Sequence, residues 1–114
     1  MADVVYRPYP EAGLYMWDEN KAIANWRKHK VTFETAIKVF SDKYAVVLPD
    51  VEHSDFEPRK RIIGTVLDVV THVKILFVVY VERMDTEEGL VTRIISARDA
   101  NKEEARIYER GLPG

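Results

Sequence analysis

The sequence predicts an α+β domain in which two N-terminal helices precede an antiparallel four-stranded sheet and one helix closes the chain. Three observations lead there. Apolar residues recur with helical spacing up to Phe40, fall into strand-like runs between Tyr44 and Arg98, and return to helical spacing after Asn101. The strand-like runs are joined by short connections, which suit an antiparallel meander and not a parallel sheet. At 114 residues, 46% hydrophobic and 32% charged, the chain has the size and composition of one globular domain.

Residues 1–16 read as an arm, because Pro8, Pro10 and Gly13 interrupt it and no period is visible; the domain proper runs over 17–114. Within the arm, GLYMW has the composition of one short extra strand. Asp18 then suits an N-cap for a helix running to about Lys28, with Ala22, Ile23 and Trp26 on its inner side. A second helix starts at Thr32, and Phe33, Ala36, Ile37 and Phe40 stand at i, i+3, i+4 and i+7, the spacing that lines one helix face. YAVVL is a first strand closed by Pro49-Asp50, and RKRIIGTVL from Arg59 a second. The run VKILFVVYVER, Val73 to Arg83, is almost wholly apolar, so it is the central strand, buried on both sides. LVTRIISAR follows as the last strand. Asn101 and Glu104 form a capping-box pair for the closing helix, with Ala105 and Tyr108 inward and Gly111 at its end. One core is expected to gather Trp26, Phe33, Ile37, Phe40, Phe77, Val79 and Ile95.

Composition excludes several functions. With no cysteine there is neither a disulfide framework nor a thiolate site, and the three histidines, His29, His53 and His72, lack metal-ligand spacing, so no metal or other cofactor is expected. The scattered glycines form no phosphate-binding loop and no nucleophile elbow. A net charge of −2 argues against wholesale capture of nucleic acid, so any polyanion site is a local patch. No stretch approaches the roughly 18 apolar residues of a membrane span and no leader pattern opens the chain, so a cytoplasmic protein is expected.

One local patch stands out. Arg59 and Arg61 enter one strand, Arg83 leaves the next, and Arg93 and Arg98 lie in the last; guanidinium forks match phosphate oxygens, so the sheet can cradle a phosphodiester. Each arginine alone is better explained as a solvated strand end or a carboxylate's partner, and only the five together bring the phosphate reading level with that one. The stretch HSDFEPRKR, His53 to Arg61, adds proton-transfer groups, and Pro58 biases Glu57 toward extended backbone, so that Glu57, Arg59 and Arg61 alternate onto one face. RNA cleavage without a metal needs a group to take the 2′-hydroxyl proton, donors for the crowded phosphate and a proton for the leaving 5′-oxygen. His53, with an ordinary pKa near about 6.5, is the candidate for proton transfer, Glu57 assists or orients it, and Arg59, Arg83 and Arg98 stabilise the phosphate. Lys28, Arg61 and Arg93 are the candidate RNA contacts. The plain alternative has Glu57 paired with Arg59 or Arg61, and His53 closing a turn.

WDENKAIANWRKHKVTFETAIKVF resembles the opening signature of the BrnT toxins, W-D-x-x-K-x-x-x-N-x-x-K-H-G-[VI]-x-F-x-x-A-x-x-V-F. HSDFEPR is similar to the family's H-S-x-x-E-x-R, and RIISARDANKEEARIYE to its R-I-I-S-A-R-x-A-x-x-x-E-x-x-x-Y. The resemblance spans Trp17 to about Glu109. It implies a RelE-like fold and a ribonuclease toxin of a type II toxin–antitoxin system that inhibits translation. It also implies neutralisation by a BrnA-like ribbon-helix-helix antitoxin, through which alone the complex reaches operator DNA. The alternative is a non-catalytic interaction module or co-repressor. Lys30 stands where the family has glycine, at a helix end where left-handed backbone costs a lysine roughly 1 kcal/mol more than glycine. Thr35 stands where a glutamate would complete a capping box from Thr32.

Overall fold

The computed structural model describes residues 4–9, 13–50, 58–67 and 73–114. Two strands come first, β1 (Val4–Tyr9) and β2 (Gly13–Asp18), followed by helices α1 (Glu19–His29) and α2 (Phe33–Ala36). A 3₁₀ turn (Ile37–Ser41) leads to β3 (Val46–Asp50), β4 (Arg59–Leu67), β5 (Val73–Asp85) and β6 (Gly89–Asp99), and α3 (Lys102–Arg110) closes the chain. The α+β class holds. The sheet is larger than expected: among the described residues it has six strands in the order β1-β2-β6-β5-β4-β3, and it is mixed, because β2 pairs parallel with β6 while the other described pairs are antiparallel. GLYMW does supply a strand, and Val4–Tyr9, within the stretch read as an arm, pairs along its whole length with it.

Local chemistry explains the helix ends. Asp18 caps α1 by accepting from the Asn20 amide at 2.9 Å and the Lys21 amide at 3.3 Å. At the other end Lys30 takes the left-handed conformation, φ 59° and ψ 32°, and its amide donates to the Trp26 carbonyl at 2.8 Å. Thr32 caps α2 through the Thr35 amide, and its own hydroxyl donates to the Thr35 hydroxyl. The continuous second helix expected from the sequence tightens to 3₁₀ after Ala36. With about three residues per turn, Phe33, Ala36 and Val39 line up, and these three are fully buried. Phe40 is half-buried at the border of that cluster, its ring 4.9 Å from Tyr80 and 5.3 Å from Tyr15. Gly64 lets the 3₁₀ turn approach β4: a Cβ there would stand 3.2 Å from the Val39 Cβ and 3.3 Å from its carbonyl oxygen.

Pro49 and Asp50 do not close β3 as expected; they continue it, opposite Lys60 and Arg59. Proline is tolerated because β3 is the sheet's edge strand. β5 is internal, with buried side chains of both parities, as its unbroken apolar run predicts.

The expected single core is two. On the α1–α2 side Trp17, Phe33, Val39, Leu76, Val78 and Ile94 are buried together, with Ile37 and, at the margin, Phe40. On the other side α3 brings Tyr108 onto Ile63 and Phe77, with Val79 packed alongside. A sheet with helices on both faces has two interiors, which a search for one apolar cluster merges. Ile95 is only half-buried, and its neighbour Ile94 takes the core position. Trp26 is 48% exposed and Ile23 43%, so the inner face of α1 is not the one the sequence suggested. Asn25 is buried in their place. Its Nδ2 donates to the carbonyls of Ala97 at 2.8 Å and Val31 at 3.0 Å, and its Oδ1 accepts from the Ala97 amide at 3.1 Å. β2 stops pairing with β6 at Arg93, so Ala97 presents unmatched backbone groups on that side, and the asparagine amide satisfies both.

Candidate active site

The strand register decides where the arginines go. Arg59 is opposite Val81, and Val81 is opposite Arg93, so the two arginines flank one valine in a single row across β4, β5 and β6. The next row holds Arg61, Val79 and Ser96, and the one after it Ile63, Phe77 and Arg98. Directly opposite residues share a face, so Arg59, Arg61, Arg93 and Arg98 all lie on the α3 side, and Arg83, two residues beyond Val81, joins them. Arg93 and Arg98 are an odd number of residues apart and would part company in a regular strand. The register shift opposite Val79 and Tyr80 leaves Ile95 without a partner, and this bulge returns both arginines to one side. It also keeps Ile94 and Ala97 together in the opposite core.

At the α3 end of the patch the geometry is tightly specified. Arg98 lies over Phe77, its Cζ 4.3 Å from the ring centroid, and it grips Glu104 with both nitrogens, Nη1 to Oε1 at 2.7 Å and Nη2 to Oε2 at 2.8 Å. The Glu104 Oε1 also accepts from the Asn101 amide at 2.9 Å, completing the capping box. Burial alone would raise the Glu104 carboxyl, but the bonds from Arg98 and Asn101 outweigh it and hold the group below the usual carboxylate range. The two bonds that Arg98 donates to Glu104 raise its guanidinium in turn, so it stays charged. Arg61 approaches Phe77 as well, at 6.0 Å, and donates from Nη2 to the Pro49 carbonyl at 2.9 Å. Its Nε is buried with no hydrogen-bond partner among the described residues. Arg61, Phe77 and Glu104, with Leu48, Ile63, Asn101 and Ile107, line a cavity of about 200 Å³.

The other end is more open: Arg83 is exposed and Arg59 and Arg93 are half-buried. Along β5 the patch runs from Phe77 to Arg83, about 20 Å at strand rise, and about 10 Å across two strand spacings. Such an area spans several phosphates. Arg98 stands four residues of β5 away from the Arg59–Arg93 row, a backbone separation of about 13 Å, and its guanidinium is held over Phe77 by Glu104.

Lys28 does not join them. It is exposed on α1, whose packed residue Ala22 belongs to the opposite core. His53 and Glu57 lie outside the described residues, as does His72. Sequence reasoning saw Phe77 only as a core residue and Glu104 only as a capping residue. The six-residue spacing between Arg98 and Glu104 across a strand-to-helix turn is the signal that could have found the pair.

A second polar cluster ties α3 down beyond the patch. The Asp42 Oδ2 accepts from the Tyr108 hydroxyl at 2.6 Å and from the Thr65 amide and hydroxyl at 2.8 and 2.9 Å, while its Oδ1 accepts from the Tyr44 amide at 2.9 Å. Burial pushes the Asp42 carboxyl up, yet these bonds win and hold it below its ordinary value. These four bonds tie α3 and β4 to one carboxylate.

Residues 17–104 match the family described as "Ribonuclease toxin, BrnT, of type II toxin-antitoxin system". No curated protein matches the chain. No helix among the described residues is long and apolar enough to cross a membrane.

Proposed function

Because the chain belongs to the BrnT family of ribonuclease toxins of type II toxin–antitoxin systems, we propose that it is an endoribonuclease whose α3-side sheet face holds the RNA backbone and cuts it by 2′-hydroxyl attack, without a metal. The observation that carries this reading is the register itself, which puts Arg59, Arg61, Arg83, Arg93 and Arg98 on one face although they come from three strands. The patch is long enough for several phosphates. In this reading Arg59, Arg83 and Arg93 surround the scissile phosphate, and Arg61 and Arg98 hold a flanking one.

The sequence positions of the proton-transfer candidates support the same reading. Asp50 and Arg59 are direct cross-strand neighbours. His53 follows Asp50 by three positions in the sequence and Glu57 precedes Arg59 by two. His53 takes the 2′-hydroxyl proton, oriented by Glu57. The 2′-oxygen attacks phosphorus, the bond from phosphorus to the 5′-oxygen breaks, and that oxygen takes a proton from solvent. The products are a 2′,3′-cyclic phosphate and a 5′-hydroxyl. Guanidinium groups fixed by the sheet stabilise the charge that builds on the phosphate oxygens.

A RelE-like description of the fold and neutralisation by a BrnA-like ribbon-helix-helix antitoxin belong to the same proposal, with operator DNA bound only through that partner. An acidic antitoxin segment over the arginine face would block RNA, since clustered cations are costly to bury without anions. The toxin then acts on cytoplasmic RNA and halts translation. The test is single substitution in purified protein: His53→Gln, Arg59→Ala and Arg93→Ala each lower RNA cleavage at least about 100-fold with an unchanged melting temperature. Full cleavage by folded Arg59→Ala and Arg93→Ala proteins would remove the arginine face from the mechanism.

A further inference from the structure

We propose that the outer face of α1 is a second docking surface, on which an amphipathic segment of the cognate antitoxin straddles Trp26. This rests on membership of a toxin–antitoxin family and not on the catalytic reading above. α1 turns Ala22 and Asn25 toward the sheet and leaves Ile23 and Trp26, three residues apart and so on one stripe, 43% and 48% exposed. Two clefts meet at Trp26 and Thr32. One, of about 330 Å³, has Val31, Val66 and Leu76 as its floor, and among the described residues its charged lining is Lys30 and Lys74. The other, of about 210 Å³, reaches Ile23 and Phe33, and among the described residues its charged lining is Glu19 and Glu34. The ridge between them is held in place: the Lys30 Nζ sits 5.6 Å from the Trp26 ring centroid.

An exposed tryptophan flanked by apolar clefts is what an interface anchor requires, since it buries a large area at small entropic cost. Opposite charge on the two rims specifies the occupant further. A helix with apolar residues one turn apart fills both clefts when it carries acidic residues toward Lys30 and Lys74 and basic ones toward Glu19 and Glu34. RNA suits the surface poorly, because the Glu19–Glu34 cleft repels phosphate. A second copy of this chain offers Trp26 as its projecting group and fills one cleft, not two. The floor residues Val31, Val66 and Leu76 belong to the core on the α1–α2 side, across the sheet from the arginines. Docking here therefore strengthens the antitoxin's grip without covering the face that holds RNA.

The chain has two tryptophans, Trp26 and the buried Trp17, which makes the test direct. Toxin labelled with 5-fluorotryptophan is titrated with unlabelled cognate BrnA-like antitoxin and followed by fluorine NMR. The Trp26 resonance is expected to shift and lose its sensitivity to heavy water on saturation, while the Trp17 resonance stays in place. Trp26→Ala and Lys74→Glu each weaken antitoxin binding at least tenfold and leave RNA cleavage unchanged. A Trp26 signal still solvent-sensitive in the saturated complex overturns the proposal, as does wild-type affinity in Trp26→Ala. So does a Trp26 shift produced by toxin concentration or RNA alone, which would assign the ridge to self-association or to substrate. If the toxin cleaves no RNA, the catalytic proposal fails and these binding outcomes still decide this one.

Discussion

Replacing Asn25 by alanine removes a side chain that behaves as a short piece of sheet. Its three hydrogen bonds, to the Ala97 carbonyl and amide and to the Val31 carbonyl, span 2.8–3.1 Å in a site only 7% exposed. The alanine variant leaves those backbone groups without partners, and a bond of this kind contributes about 0.5–1.5 kcal/mol net, so the three together give about 2–4 kcal/mol. That is a large share of a total stability of about 5–15 kcal/mol. Equilibrium unfolding in urea measures it, as a lower midpoint at unchanged slope. Asn25→Asp is expected to cost more, because a carboxylate then faces two carbonyl oxygens where an amide had donated. Cleavage by the alanine variant should match wild type at temperatures where it remains folded. A loss below about 1 kcal/mol, less than one typical buried hydrogen bond, would refute the clamp. So would normal stability with abolished cleavage, which would move Asn25 into the chemistry.

Lys30→Gly relieves left-handed strain at the end of α1 and should stabilise the protein by about 1 kcal/mol, read as a raised melting temperature; no gain would mean the lysine's contact with Trp26 offsets the strain. Asp42 and Glu104 both have folded pKa values below their ordinary ones, so their contribution is complete above the usual carboxylate range and is lost as pH falls through the depressed values. Asp42→Asn should therefore flatten the decline of melting temperature on acidification below about pH 4, and an unchanged acid limb would contradict the assignment. Glu104→Gln frees Arg98 from its bidentate partner; weaker RNA binding with kcat nearly intact is expected if Arg98 holds a flanking phosphate, whereas a loss confined to kcat would put it at the scissile one.

What the sequence made legible was what is encoded locally. The caps at Asp18, Thr32 and Asn101, the left-handed turn at Lys30 and the buried run of β5 each follow from a few adjacent residues and are found where the pattern predicts them. What stayed hidden was non-local. Trp26 is apolar and stands near an inward position, but the β6 backbone at Ala97 needs an amide there, and Asn25 rotates the helix to supply it. The parallel pairing of β2 with β6 joins segments some 75 positions apart in the chain, and loop closure over that distance leaves no local trace. The arginines show the same division. Their presence on strand ends was visible; their common face depends on a bulge at Ile95 that no residue in RIISAR announces.

The central claim is that this sheet face positions RNA for attack by its own 2′-hydroxyl. A defined RNA and the same strand carrying a single 2′-deoxy nucleotide at the cleavage position, incubated with purified toxin and excess chelator, test it most directly. The predicted result is cleavage of the all-ribose strand to a 2′,3′-cyclic phosphate and a 5′-hydroxyl, with the deoxy-substituted strand left intact at that position. Cleavage of the deoxy-substituted strand at the same bond, or loss of all cleavage on chelation with recovery on adding a divalent ion, would contradict it.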